Sequence, residues 1–329
     1  MTDHYHTYEQ LHAEGHISDE SFQKINDRRL HPLISVHWEI KTVLYLGITL
    51  LTGGIGVLVY KNIDTIGHQI ILAFIALVSA GCLGYCFKHK KPFSTGRVHP
   101  PSTFFDYVLL LGTLALLIFV GYLQFQYNVF GSNYGLATAI PMLALFYIAY
   151  TFDHIGMLNM GIANLAIWMG VTATPTHLLA YGTFNSQSII FTYLGFGLLL
   201  LAAAWATQKY LFKKHFKFSY QHYGIHAACI ALLAGYFFNY EIRFSILWLL
   251  AAIALSLVLY FDSLKEKSFY FALLSVLYGY IAVSCLFFRM ISVGGVGEVI
   301  ITLGMMYVIT SAIGVIYLLI STNKKIKSA

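Results

Sequence analysis

Few side chains in these 329 residues could do chemistry, and they lie far apart. His222 and His226 stand four residues apart, one helical turn, a spacing that lets two imidazoles reach one metal or haem iron. No cysteine or carboxylate accompanies them and no glutamate follows His222, which excludes the His-Glu-x-x-His zinc-protease pattern and leaves a weak ligand pair. Their plainer place is the headgroup level at the start of a span. Asp153 and His154 are neighbours, and a carboxylate beside an imidazole can pass a proton near neutral pH. Aspartate in a tight turn also has an ordinary conformational reason. Glu298 follows Gly294-Gly295-Val296-Gly297, where flexible backbone can approach a ligand and the carboxylate would favour a cation or amine. Asp106 opens an apolar run, where a carboxylate also complements the positive end of a helix dipole. Asn159 and Asn164 are amides inside another apolar run, among Gly156, Gly161 and Ala163. Such amides either bond neighbouring helices or line a polar path. Pro141, one run earlier, frees a backbone carbonyl in the same region.

The elements that must hold these residues are membrane helices. Hydrophobic residues make up 58% of the chain, charged residues 10%, and the mean hydropathy is +0.70. A soluble domain is about half apolar and a quarter charged. Eleven of the 34 charges fall within the first 41 residues, so the remainder cannot solvate a globule. The chain reads as an all-α polytopic membrane protein. Cys82, Cys86, Cys229 and Cys285 lie in apolar runs and read as free thiols packed like small hydrophobes.

Apolar runs long enough to span a bilayer number ten: 41–60, 67–87, 104–123, 134–152, 155–173, 187–207, 222–238, 242–261, 268–288 and 297–320. Alternating the connecting segments places seventeen Lys and Arg on the side of the N-terminus and three, Lys61, Arg243 and Arg289, on the other. The positive-inside rule then puts both termini in the cytoplasm and accounts for the +6 net charge, which leaves no case for nucleic-acid binding. Five plus five spans would make the second half inverted, a known transporter plan. The echo of Tyr45-Leu46-Gly47 in Tyr193-Leu194-Gly195 is short.

Residues 1–40 form a separate cytoplasmic and juxtamembrane segment ahead of a membrane domain, 41–329, that ends in a basic tail. Tyr8, Leu11 and His12 have helical spacing, Gly15 suits a helix stop, and Ser18 with Asp19 and Glu20 suits a helix start. Phe22 and Ile25 continue a narrow apolar stripe. Such a helical hairpin cannot bury a core of its own, so it must pack on the membrane domain, a second copy or a protein partner.

The hairpin resembles short modules centred on Gly-Ile-(Ser/Thr)-x-Glu-x-Phe, here Gly15-His16-Ile17-Ser18-Asp19-Glu20-Ser21-Phe22. The apolar sequence after the hairpin resembles the bacterial membrane family catalogued as domain of unknown function 2157. The first two spans of that family read as Gly-rich apolar sequence, then Asn-Trp-Asp, then a second apolar run. This chain has Gly47, Gly53, Gly54 and Gly56, then Asn62-Ile63-Asp64, with isoleucine in place of the tryptophan. The resemblance implies a bacterial inner-membrane protein and brings no activity.

Neither Gly-x-Gly-x-x-Gly, nor Walker A, nor Gly-x-Ser-x-Gly occurs, and no cofactor is read. The reading is a small-solute permease rather than an enzyme, its polar core drawn from Asn159, Asn164, Asp106, Asp153, His154 and Glu298. Its alternative is a non-transporting scaffold or sensor that docks through the hairpin. A haem or redox enzyme using His222 and His226 comes last. The topology is testable directly: reporter fusions after Lys90, Lys214 and Lys325 should report cytoplasm, and fusions near Gln126 and Thr183 the outside. A cytoplasmic signal at Thr183 would defeat the ten-span reading.

Overall fold

The computed structural model describes residue 8 and residues 11–30, 37–131, 134–173, 186–294 and 297–328. No strand occurs among the described residues. The helices are α1 (Asp19–Leu30), α2 (His37–Ile66), α3 (His68–His89), α4 (Thr103–Tyr127), α5 (Tyr134–Phe152), α6 (Ile155–Ala173), α7 (Gln187–Lys209), α8 (Lys217–Phe238), α9 (Ile246–Lys265), α10 (Phe269–Gly294) and α11 (Gly297–Ser328). Short 3-10 turns, Lys214–Phe216 and Arg243–Ser245, precede α8 and α9. The ten predicted runs correspond one to one with α2–α11.

Eight of these helices are long and apolar enough to cross a membrane; α6 has a shorter apolar stretch, Ile155–Gly170, and α8 is not among them. The reason for α8 is its position. It touches α6, α7, α9 and α10, and it buries Ser219 and Gln221 along with Ile225, Ala228 and Leu232. A helix packed against four others needs apolar residues only on the face left open, here Phe218, Ile230 and Phe237. At 22 residues it is about 33 Å long, enough to match a hydrocarbon core.

The chain divides into two compact units, Met1–Tyr60 and Lys61–Ala329. In the first, Gly15 takes φ +77° and closes a helical turn. Its N–H donates to the His12 carbonyl at 3.0 Å and the His16 N–H to Leu11 at 2.9 Å, the paired bonds of a glycine helix stop. Ser18 then starts α1 by accepting the Ser21 N–H, 3.4 Å. The arms meet where His12 stacks on Phe22 at 4.3 Å and bonds Asp19 at 2.8 Å.

In the second unit the closest-packed neighbours are the hairpins α3–α4, α5–α6, α7–α8 and α9–α10. In a five-helix repeat α4–α5 would be the counterpart of α9–α10, yet α4 and α5 pack loosely. Glycine sets the α7–α8 approach: a Cβ on Gly197 would lie 2.4 Å from the Ala228 backbone nitrogen. Gly224 and Ala228, four residues apart, form the small-residue face that permits it. Tyrosine hydroxyls bridge other interfaces, Tyr150 to Tyr220 at 2.8 Å between α5 and α8 and Tyr280 to Ser311 at 3.1 Å between α10 and α11. All four cysteines are free.

The hairpin arms are held by contacts of their own, and the apolar helices begin after them. Deleting Met1–Leu30 should therefore leave a membrane-inserted, folded protein with altered association, as membrane fractionation and size-exclusion chromatography would show. Loss of insertion would count against this.

Candidate functional site

The sequence-predicted pair Asp153-His154 is the whole of the turn between α5 and α6. Asp153 takes the left-handed conformation there, φ 58°, which short polar side chains tolerate. Its carboxylate is 1% exposed and meets three partners from two other loops. Oδ2 accepts the Val98 N–H and pairs with Lys213 Nζ at 3.3 Å, while Oδ1 meets His215 Nε2 at 2.5 Å. Three loops meet on this one side chain: the α3–α4 loop, the α5–α6 turn and the α7–α8 loop.

Lys213 is as deeply buried as its partner. It sits at φ 49°, a conformation that costs a non-glycine residue about 1–2 kcal/mol. Bonds hold it there. Its N–H donates to the Thr95 carbonyl at 2.7 Å, its Nζ lies 3.4 Å from the Gly96 carbonyl, and the ammonium stands 4.9 Å from the centre of the Phe93 ring.

His215 links this clamp to a cavity. On the far side of the histidine lies a polar hollow of about 440 Å³, lined by Gln208, Lys214, His215, Lys217, Phe218, Gln221, Lys265, Glu266 and Phe271. Lys217 pairs with Glu266 and donates to Gln208 Oε1 at 2.6 Å. Gln221 is 2% exposed, and its Oε1 has no hydrogen-bond partner. The cavity joins the α7–α8 connection to the end of α9 and the start of α10. One end of this unit therefore gathers the loops that carry most of its basic residues.

The other predicted residues do not converge here. His154 accepts the Met157 N–H through Nδ1, 3.3 Å, at the start of α6; the histidine bonded to Asp153 is His215. Asp106, 4% exposed, lies in the first turn of α4 after the N-cap Ser102. Asn159 and Asn164 are in α6, about 140° apart around the helix. Both Oδ1 atoms are buried without a hydrogen-bond partner. His222 and His226 point to α10, where Nδ1 of each meets a tyrosine hydroxyl, Tyr270 and Tyr278, at 2.7 Å. Among the described residues no three His, Cys, Asp or Glu side chains gather for a metal. Glu298 opens α11, but its side chain lies outside the described residues.

Sequence reasoning missed Lys213, His215, Lys217 and Gln221. The two lysines counted only as topology charges, and the glutamine fell before the span predicted at His222. The one available signal was Gln221 beside an apolar helix with two histidines on it.

Removing one partner of a buried ion pair leaves the other charge stranded, at a cost of about 3–5 kcal/mol. Asp153→Ala should lower stability by that order in chemical denaturation, and adding Lys213→Met should restore most of the loss. A double variant no more stable than the single one would show that the Asp153–Lys213 pair is not what holds these loops.

Residues 9–158 match the family model described as Predicted membrane protein (DUF2157). No curated protein and no solved structure matches the chain. The matched segment takes in the N-terminal hairpin, the Gly-rich α2 and the Asp153 turn. Over residues 9–158, then, the chain is similar to the DUF2157 predicted membrane proteins, the family that its Gly-rich first span and Asn62-Ile63-Asp64 resemble.

Proposed function

We propose that the chain is a permease-like helix bundle of a bacterial inner membrane, with both termini cytoplasmic, in which a small solute passes beside α6. The observation that carries this reading is the pair of buried, unpartnered amide oxygens on α6, Asn159 and Asn164. Amides that serve only as interhelical glue are bonded across the interface. Oxygens left unpaired at the level of hydrocarbon call for a polar visitor, water or solute. No enzymatic step or resident cofactor is assigned. Residues 1–40 serve as a docking element for a second copy or a protein partner.

The scaffold reading has an observation of its own. Besides the Gly197 approach, a Cβ on Gly235 would fall 2.4 Å from the Trp248 ring, so these interfaces leave no slack. The two amides also occupy different sides of α6.

Cysteine accessibility separates the readings without a known substrate. Asn159→Cys and Asn164→Cys, made one at a time, are treated in cells with a charged, membrane-impermeant methanethiosulfonate and read by the mass added relative to the parent protein. Modification of either position, at a membrane level close to the parent's, is the expected result for a solute path. No modification of either in a folded protein would favour the scaffold and end the permease reading.

A further inference from the structure

The lysine-lined cavity has more charge and more hydrogen-bonding capacity than packing requires. Its wall carries three ammonium groups, Lys214, Lys217 and Lys265, against one carboxylate, Glu266. Glu266 is committed to Lys217. Among the described residues neither Lys214 nor Lys265 has an ion-pair partner, and both are exposed. His215 faces the same space with its Nε2 held by Asp153. The net charge presented is positive, and two of the charges are free to turn onto a ligand.

Gln221 is the second and independent observation. It is only 2% exposed, it lines the cavity, and its Oε1 lacks a donor. A buried acceptor left unpaired is costly, so the site is incomplete as it stands. An anion alone would satisfy the lysines and leave the amide oxygen empty. A molecule with both an anionic group and a hydroxyl or amine donor satisfies both. At about 440 Å³ the space falls within the range of small-molecule sites and exceeds what a single inorganic ion fills.

We infer that this cavity is a binding site for a phosphate ester that also carries a hydroxyl or amine. Lys214 and Lys265 neutralise the phosphate as point charges, and Gln221 Oε1 accepts a hydrogen bond from the ester's hydroxyl or amine. The same chemistry occurs in a soluble phosphorylated metabolite and in the headgroup of an anionic phospholipid. Because the cavity stands at the ends of four helices, where headgroups lie, both sources can reach it. The site does not depend on whether any solute crosses the bundle beside α6.

Purified full-length protein in neutral detergent is titrated with glycerol 3-phosphate and with inorganic sulfate. In parallel, retention of phosphatidylglycerol over phosphatidylcholine is read by native mass spectrometry from mixed nanodiscs. Binding of glycerol 3-phosphate supports the site with a soluble ligand, and selective phosphatidylglycerol retention alone supports it with a headgroup. In either case the K214Q/K265Q double variant, which alters only exposed side chains, should weaken binding about tenfold. Gln221→Leu should reduce the preference for glycerol 3-phosphate over sulfate, or for phosphatidylglycerol, while leaving charge attraction in place. Absence of both bindings, or binding that K214Q/K265Q leaves unchanged, overturns the inference.

Discussion

An ionised carboxylate with 1% exposure has no water to stabilise it, so everything around Asp153 must do so. The chain answers with an amide N–H from one loop and a lysine and a histidine from another. This requirement fixes more than the side chain. It sets where the α3–α4 loop crosses the end of the bundle, because Val98 must present its N–H there. It holds Lys213 in a left-handed conformation that a lysine does not choose unaided. It also delivers His215 to the wall of the polar cavity. The shape of that cavity therefore depends on a carboxylate that does not line it.

Within the apolar layer a different constraint operates. Lipid is as apolar as leucine, so burial alone does not drive helix against helix. Close backbone approach and shared hydroxyls supply the specificity instead. Gly197 lets α7 lie on α8. Tyrosines from α10 meet His222 and His226, and Tyr150 meets Tyr220 across from α5. The central helix α8 takes part in most of these contacts. That explains why α8 is not among the helices apolar enough by themselves to cross a membrane.

Helix positions were legible in the sequence because hydrocarbon demands long apolar runs, and Gly15 and Ser18 marked the hairpin for equally local reasons. Asp153 was legible as a candidate, since charge beside a span is rare. Its partner was not. Adjacency pointed to His154, whereas the bonded histidine is His215, 62 positions away. Local pattern carries no information on which loops meet at the end of a bundle. The same limit hid Lys213 and Lys217, which read as solvated topology charges and are buried in ion pairs. His222 and His226 read as headgroup-level residues because a tyrosine on another helix leaves no trace beside them.

The two kinds of polar group in this unit differ in strength. A stranded charge at the Asp153 cluster costs about 3–5 kcal/mol, whereas a hydrogen bond between membrane helices contributes about 0.6–2 kcal/mol. The lysine-rich end, where three loops share one carboxylate, is thus held more strongly than a single interhelical hydrogen bond would hold it. The Asn159 and Asn164 side-chain oxygens on α6 have no hydrogen-bond partner to hold them. The Asp153 turn leads directly into α6, so the clamp fixes one end of the helix whose middle carries the unpaired amides.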